Sequence, residues 1–96
     1  MDELDQQALT GAVIKRHSLD LAELWLDYVA LGGEASEQEI RDYSSGAETL
    51  PEKDRDALAQ AVNEHCVAAN LAVRAPFSDS PLIRLHAEPQ DPYSSK

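Results

Sequence analysis

Residues 18–33 read Ser-Leu-Asp-Leu-Ala-Glu-Leu-Trp-Leu-Asp-Tyr-Val-Ala-Leu-Gly-Gly, and the fold turns on how this stretch is read. At about 100° of turn per residue, Leu21, Leu24, Trp25, Tyr28, Val29 and Leu31 gather on one side of a helix, with Ala22 and Leu26 extending its edge. Asp20, Glu23 and Asp27 take the narrow strip that remains. An apolar arc covering more than half the circumference predicts a helix over 19–31 that is buried on several sides and runs through the middle of the domain. Ser18 offers its hydroxyl as N-cap, Asp20 and Glu23 sit near the positive end of the helix dipole, and Gly32-Gly33 supplies a left-handed exit.

Working outward, residues 2–16 carry acids at their start, Lys15-Arg16-His17 at their end, and Leu4, Ala8 and Ala12 at helical spacing. Thr10-Gly11 interrupts the pattern, and Val13 and Ile14 do not continue it, so a weak helix and a frayed arm both fit. On the other side, Ser36 and Glu39 form a capping box for a short helix over 37–44, whose apolar edge, Ile40 and Tyr43, packs toward the central helix. Ser44-Ser45-Gly46 stops it. Thr49 and Glu52 repeat the capping-box pattern around Pro51, which predicts a longer helix over 51–70. Its stripe is Leu58, Val62, His65 and Ala69, flanked by Ala61 and Cys66, with Asp56, Gln60 and Asn63 facing away. Four of the five prolines, Pro76, Pro81, Pro89 and Pro92, fall in the last 21 residues, where proline denies the backbone a helical amide.

The fold class is therefore all-α: a small bundle of three to four helices with an extended Pro-rich C-terminal segment. Residues 1–17 form an arm or weak helix, 18–73 the helical core, and 74–96 the Pro-rich segment and tail. Ninety-six residues make one domain at most, with a small core. Trp25 and Tyr28 leave self-association as a homodimer open. No stretch approaches the roughly 20 apolar residues of a membrane span, and Met-Asp-Glu-Leu-Asp is unlike a signal peptide, so the expected compartment is the cytoplasm. A single cysteine excludes an internal disulfide.

The net charge of −10 is concentrated between residues 20 and 56, where eleven acids face only Arg41, Lys53 and Arg55. Such a field repels nucleic acid and anionic membranes and attracts basic surfaces. His65 and Cys66 are adjacent, and adjacent helix positions point about 100° apart, so they do not converge on one metal ion. The pair reads as a histidine hydrogen-bonded to a neighbour beside a buried thiol. Asp20, Glu23 and Asp27 share a strip with nothing apolar interleaved to separate two pKa values, which fits a solvated or partner-binding face better than acid–base chemistry. No phosphate-binding, nucleophile or metal motif appears, so no catalytic, cofactor-binding or metal-binding residue is assigned.

The run 23–36, Glu-Leu-Trp-Leu-Asp-Tyr-Val-Ala-Leu-Gly-Gly-Glu-Ala-Ser, with Leu-Ala-Gln-Ala-Val-Asn-Glu at 58–64, resembles a pattern in short bacterial all-helical proteins of unassigned function. That resemblance implies a small helical fold and adds no site residue.

Together these features predict a non-catalytic regulatory or adaptor module that binds a basic protein surface. Asp20, Glu23 and Asp27 supply charge, and Tyr43, Leu50 or Ile83 supply apolar contact. Two alternatives stay open beside it. One is a nucleic-acid mimic acting on a DNA-binding protein. The other is a helix-turn-helix-like arrangement over 36–70 that keeps the topology without binding DNA, since its second helix carries net negative charge. An enzyme or ligand-binding protein would need a pocket holding His65 or Cys66.

Overall fold

The computed structural model describes residues 2–79. Four helices make up its regular structure: α1 (Glu3–Arg16), α2 (Leu21–Ala30), α3 (Glu37–Ser45) and α4 (Glu52–Ala68), with no strand among the described residues. The core gathers Leu24 and Tyr28 of α2, Ile40 and Tyr43 of α3, and Leu58, Ala59, Ala61, Val62 and Cys66 of α4, all fully buried, with Ile14 of α1, Leu50 and Ala75 closing its edges.

All four helices end the same way. Among the described residues, Ser18, Gly32, Gly46 and Asn70 are those with positive φ, and each follows the last turn of a helix. Behind each, two amides fold back onto that turn: Ser18 and Leu19 donate to Lys15 and Ile14, and Gly32 and Gly33 to Val29 and Tyr28. Likewise Gly46 and Ala47 donate to Tyr43 and Asp42, and Asn70 and Leu71 to Val67 and Cys66. This is the Schellman arrangement, which satisfies carbonyls that the helix leaves unpaired. Glycine was legible as the stop at 32 and 46. At 18 and 70 a serine and an asparagine take the left-handed conformation instead. Ser18 therefore closes α1 and does not cap α2. Asp20 performs that task, its Oδ1 accepting from the amides of Ala22 at 2.9 Å and Glu23 at 3.4 Å.

α3 begins as the sequence implies, with Ser36 and Glu39 exchanging both bonds of a capping box. α4 does not: it starts after Pro51 with no side-chain cap, so Thr49 is not part of a box. It ends at Ala68, and Leu71-Ala72-Val73 does not prolong it. The chain runs back along α4 instead. Asn63 brackets Ala75, donating to its carbonyl at 3.1 Å and accepting from its amide at 2.7 Å. Nearer the start of α4, Asp56 accepts from the amide and hydroxyl of Ser78 at 2.7 and 2.6 Å. Asp56 and Asn63, read from the helical wheel as outward-facing, are the clamps that hold this segment.

α1 is a complete helix whose inward face differs from the expected one. Gln6, Gln7, Thr10, Gly11 and Ile14 are buried, whereas Leu4 is 65% exposed and Ala8 and Ala12 are open to solvent. The buried amides are bonded across long sequence separations. Gln6 donates to Asp56 and to the Pro76 carbonyl and accepts from Arg55, while Gln7 donates to the carbonyls of Tyr43 and Glu48. A buried amide is tolerable only with such partners.

Candidate functional site

α2 is not enclosed on several sides. Leu24 and Tyr28 face the core and Leu21 and Trp25 are half-buried at its edge, the indole N–H of Trp25 donating to the Ala35 carbonyl at 3.0 Å. The rest of the apolar arc looks outward. Ala22, Leu26, Val29 and Ala30 are exposed, Leu26 at 61% and Val29 at 41%, and at about 100° per residue the four lie within one contiguous arc of about 100°. A wide apolar arc on the wheel thus splits into a core half and a solvent half. The wheel shows the arc but not the number of neighbours, which is why the outer half was not legible.

Along one edge of this stripe lie Asp20, Glu23 and Asp27. Asp20 is occupied as the N-cap. Asp27 Oδ2 lies 2.6 Å from His65 Nε2, with the His65 side chain mostly buried, so this pair ties α2 to α4. His65 is thus hydrogen-bonded to a neighbour and Cys66 beside it is fully buried, as the sequence implied for the two. Glu23 alone of the three has its carboxylate exposed beside the apolar stripe with no intramolecular partner among the described residues. No Lys or Arg occurs from residue 17 to residue 40, a span holding Asp20, Glu23, Asp27, Glu34, Glu37 and Glu39.

Beneath the stripe, Tyr28 forms a buried polar node. Its hydroxyl donates to Asp54 Oδ1 at 2.7 Å and accepts from the Ala35 amide at 2.8 Å, and Asp54 also accepts from the Glu34 amide at 3.3 Å. Burial, reinforced by the bond to Asp54, pushes the Tyr28 phenol up to about 12. Gly33 lies flat against the Tyr28 ring, where a Cβ would overlap it. The node fixes the exit of α2 and so the angle at which the stripe is presented.

Tyr43, expected to serve as an apolar anchor on the surface, is fully buried, and Leu50 is 6% exposed, so neither reaches a partner. Ile83 and the segment 80–86 lie outside the described residues. Most of the acid-rich run is also engaged internally. Besides Asp20, Asp27, Asp54 and Asp56, Glu34 pairs with Lys53, Glu37 with Arg41, Glu39 caps α3, Asp42 accepts from Gln38 and Glu52 from Ser78. Arg55, one of two cations in the second helix of the helix-turn-helix-like unit, is turned inward onto Gln6, the Leu50 carbonyl and Glu3. Among the described residues, no three His, Cys, Asp or Glu side chains are grouped as metal ligands, and no helix is long and apolar enough to cross a membrane.

No family model, no curated protein and no solved structure matches this chain. The functional reading therefore rests on its own surface.

Proposed function

We propose that this chain is a non-catalytic adaptor module that binds a basic amphipathic protein surface through the outward face of α2. The observation that carries the proposal is the exposed row Ala22, Leu26, Val29 and Ala30, bordered by the unpaired Glu23 within a stretch free of Lys and Arg. A contiguous apolar patch rimmed by one sign of charge is what a partner helix of the opposite sign covers. Full burial of a Leu or Val contributes about 1.5–3 kcal/mol, so the part-exposed Leu26 and Val29 would each add about 1 kcal/mol or slightly more on docking. Carboxylates at the rim would speed encounter and select against acidic surfaces.

A nucleic-acid mimic draws less support. It needs evenly spaced carboxylates free to stand in for phosphates, and of the acids between residues 20 and 56 only Glu23 and Glu48 have no side-chain partner among the described residues.

The test is capture of proteins from a lysate of the source cell on the immobilised chain at physiological salt, beside Leu26→Asp and Glu23→Lys variants. A protein retained by the wild type and lost from both variants is the expected result. Retention that is unchanged in Leu26→Asp, or only a mixture of nucleic-acid-binding proteins that elutes as salt rises, would overturn the proposal.

A further inference from the structure

A second apolar surface is formed by α1 and α3 with the start of α2. The row Leu4, Ala8 and Ala12, which the spacing marks as the helical stripe of α1, does not face the core; with Leu21 it lines an open groove of about 650 Å³ between α1 and α3. The small side chains at 8 and 12 let another backbone come close, and Leu4 is 65% exposed. The charge at this groove is opposite to that of the rest of the chain. Lys15 and Arg41 line it and, among the described residues, no carboxylate does, although the sequence holds 18 acids against 8 Lys and Arg. Arg41 is held one turn along α3 by Glu37 at 3.0 Å, whereas Lys15 has no partner among the described residues.

The chain thus carries two open apolar faces with opposite rims: the α2 stripe beside Glu23, and the α1/α3 groove beside Lys15 and Arg41. We propose that they pair with each other between copies, the α2 stripe of one molecule lying in the α1/α3 groove of the next. A two-fold dimer through either face is disfavoured by its charge. Stripe on stripe brings two acid-rimmed faces together, and groove on groove two faces rimmed by Lys15 and Arg41. Only the heterologous pairing sets Glu23 toward Lys15, and such a contact leaves one stripe and one groove unused at its ends, so it propagates unless rotation closes a ring. The net charge of −10 opposes the contact at long range, and physiological salt screens charges beyond about 8 Å, leaving the local complementarity to act. The same α2 face serves the proposed basic partner, so assembly and partner binding compete.

Sedimentation velocity of the full chain at physiological salt tests this with two variants at exposed positions, Leu26→Asp in the stripe and Ala8→Glu in the groove, each checked by circular dichroism. The wild type should gain mass with concentration beyond a dimer, and each variant alone should stay monomeric. An equimolar mixture of the two should give a discrete dimer, because one intact stripe meets one intact groove and no further pair remains. Should either apolar variant misfold, the charge variants Glu23→Lys and Lys15→Glu give a second test: each alone should stay monomeric, and their mixture should assemble beyond a dimer, because both kinds of stripe–groove contact then set opposite charges together. A wild type that is monomeric at every concentration, or a mixture that stays monomeric, overturns the proposal. Failure here is distinguishable from failure of the adaptor reading: a monomeric wild type whose captured protein is lost in Leu26→Asp sinks self-assembly alone, and an assembling wild type whose monomeric Ala8→Glu variant, with its stripe open, captures nothing sinks the adaptor alone.

Discussion

Two buried tyrosines show how differently the same side chain is used. The Tyr28 hydroxyl is bonded on both sides, to Asp54 and to the Ala35 amide. The Tyr43 hydroxyl is buried without a partner, and burial, opposed by Arg55 and reinforced by Glu3 and Asp56, raises its phenol to about 12. A buried polar atom without a bond costs about 1–3 kcal/mol, while one removed together with its need for a partner costs nothing. Tyr43→Phe should therefore stabilise the fold by about 1 kcal/mol, and Tyr28→Phe should destabilise it by about 1–3 kcal/mol by stranding the Asp54 carboxylate. Urea midpoints of the two variants check this. Equal losses would mean that Tyr43 is hydrogen-bonded after all. The sequence placed both rings on inward arcs, correctly, since Ile40 and Tyr43 follow helical spacing. It also offered Tyr43 to a partner, and one side chain cannot do both.

At the scale of elements, legibility followed the range of the signal. α3 was readable because its start and stop are local: Ser36 and Glu39 lie three residues apart, and Gly46 needs only its own φ. α1 was half readable, because its Leu4–Ala8–Ala12 row is real but points away from the core, and its inward face is lined by glutamines whose partners lie 36 to 70 residues away. No local pattern reports such partners. Gly11 makes the point testable. In an isolated helix, Gly→Ala gains about 1 kcal/mol. Here Gly11 is buried where α1 meets α3, and an added Cβ would collide with the Ser44 carbonyl, a backbone atom that cannot swing aside. Gly11→Ala should lower stability by about 1–3 kcal/mol in spite of its better propensity, measured by thermal melting. A raised Tm would show that α1 and α3 are further apart than described. The candidate site follows the same logic: its acids and its apolar arc were on the wheel, but the division of that arc into core and solvent halves depends on α4, which the wheel does not contain.

For the whole molecule, the acids between residues 20 and 56 act as much in holding the fold as in shaping its field. Asp20 caps α2, Asp27 joins it to α4, Asp54 fixes the Tyr28 node, and Asp56 clamps the returning chain. The Asp56 clamp gives stability a defined dependence on pH. Burial alone would raise the Asp56 carboxyl, but the Ser78 hydroxyl and amide, the Gln6 amide and Arg55 outweigh it and hold it below the usual carboxylate range. The unfolded chain therefore takes up that proton first on acidification, so the contribution of Asp56 is present above its unfolded pKa and is lost as pH falls through its lower folded one. At the alkaline end the order reverses. Both phenols ionise near 10 when unfolded and near 12 when folded. Their contribution is complete below pH 10 and drains away as pH rises from 10 to 12, because the unfolded state then binds fewer protons. Two such groups give a limiting slope of about 2.7 kcal/mol per pH unit. Tyr43→Phe should halve that slope while leaving the acid limb unchanged, and Asp56→Asn should flatten the acid limb while narrowing the alkaline one only slightly, since burial rather than the Asp56 charge is the main cause of the Tyr43 shift. Urea midpoints from pH 2 to 12 read both limbs, and a wild-type midpoint that stays level between pH 10 and 12 would mean that neither phenol keeps its proton in the folded chain beyond the unfolded value.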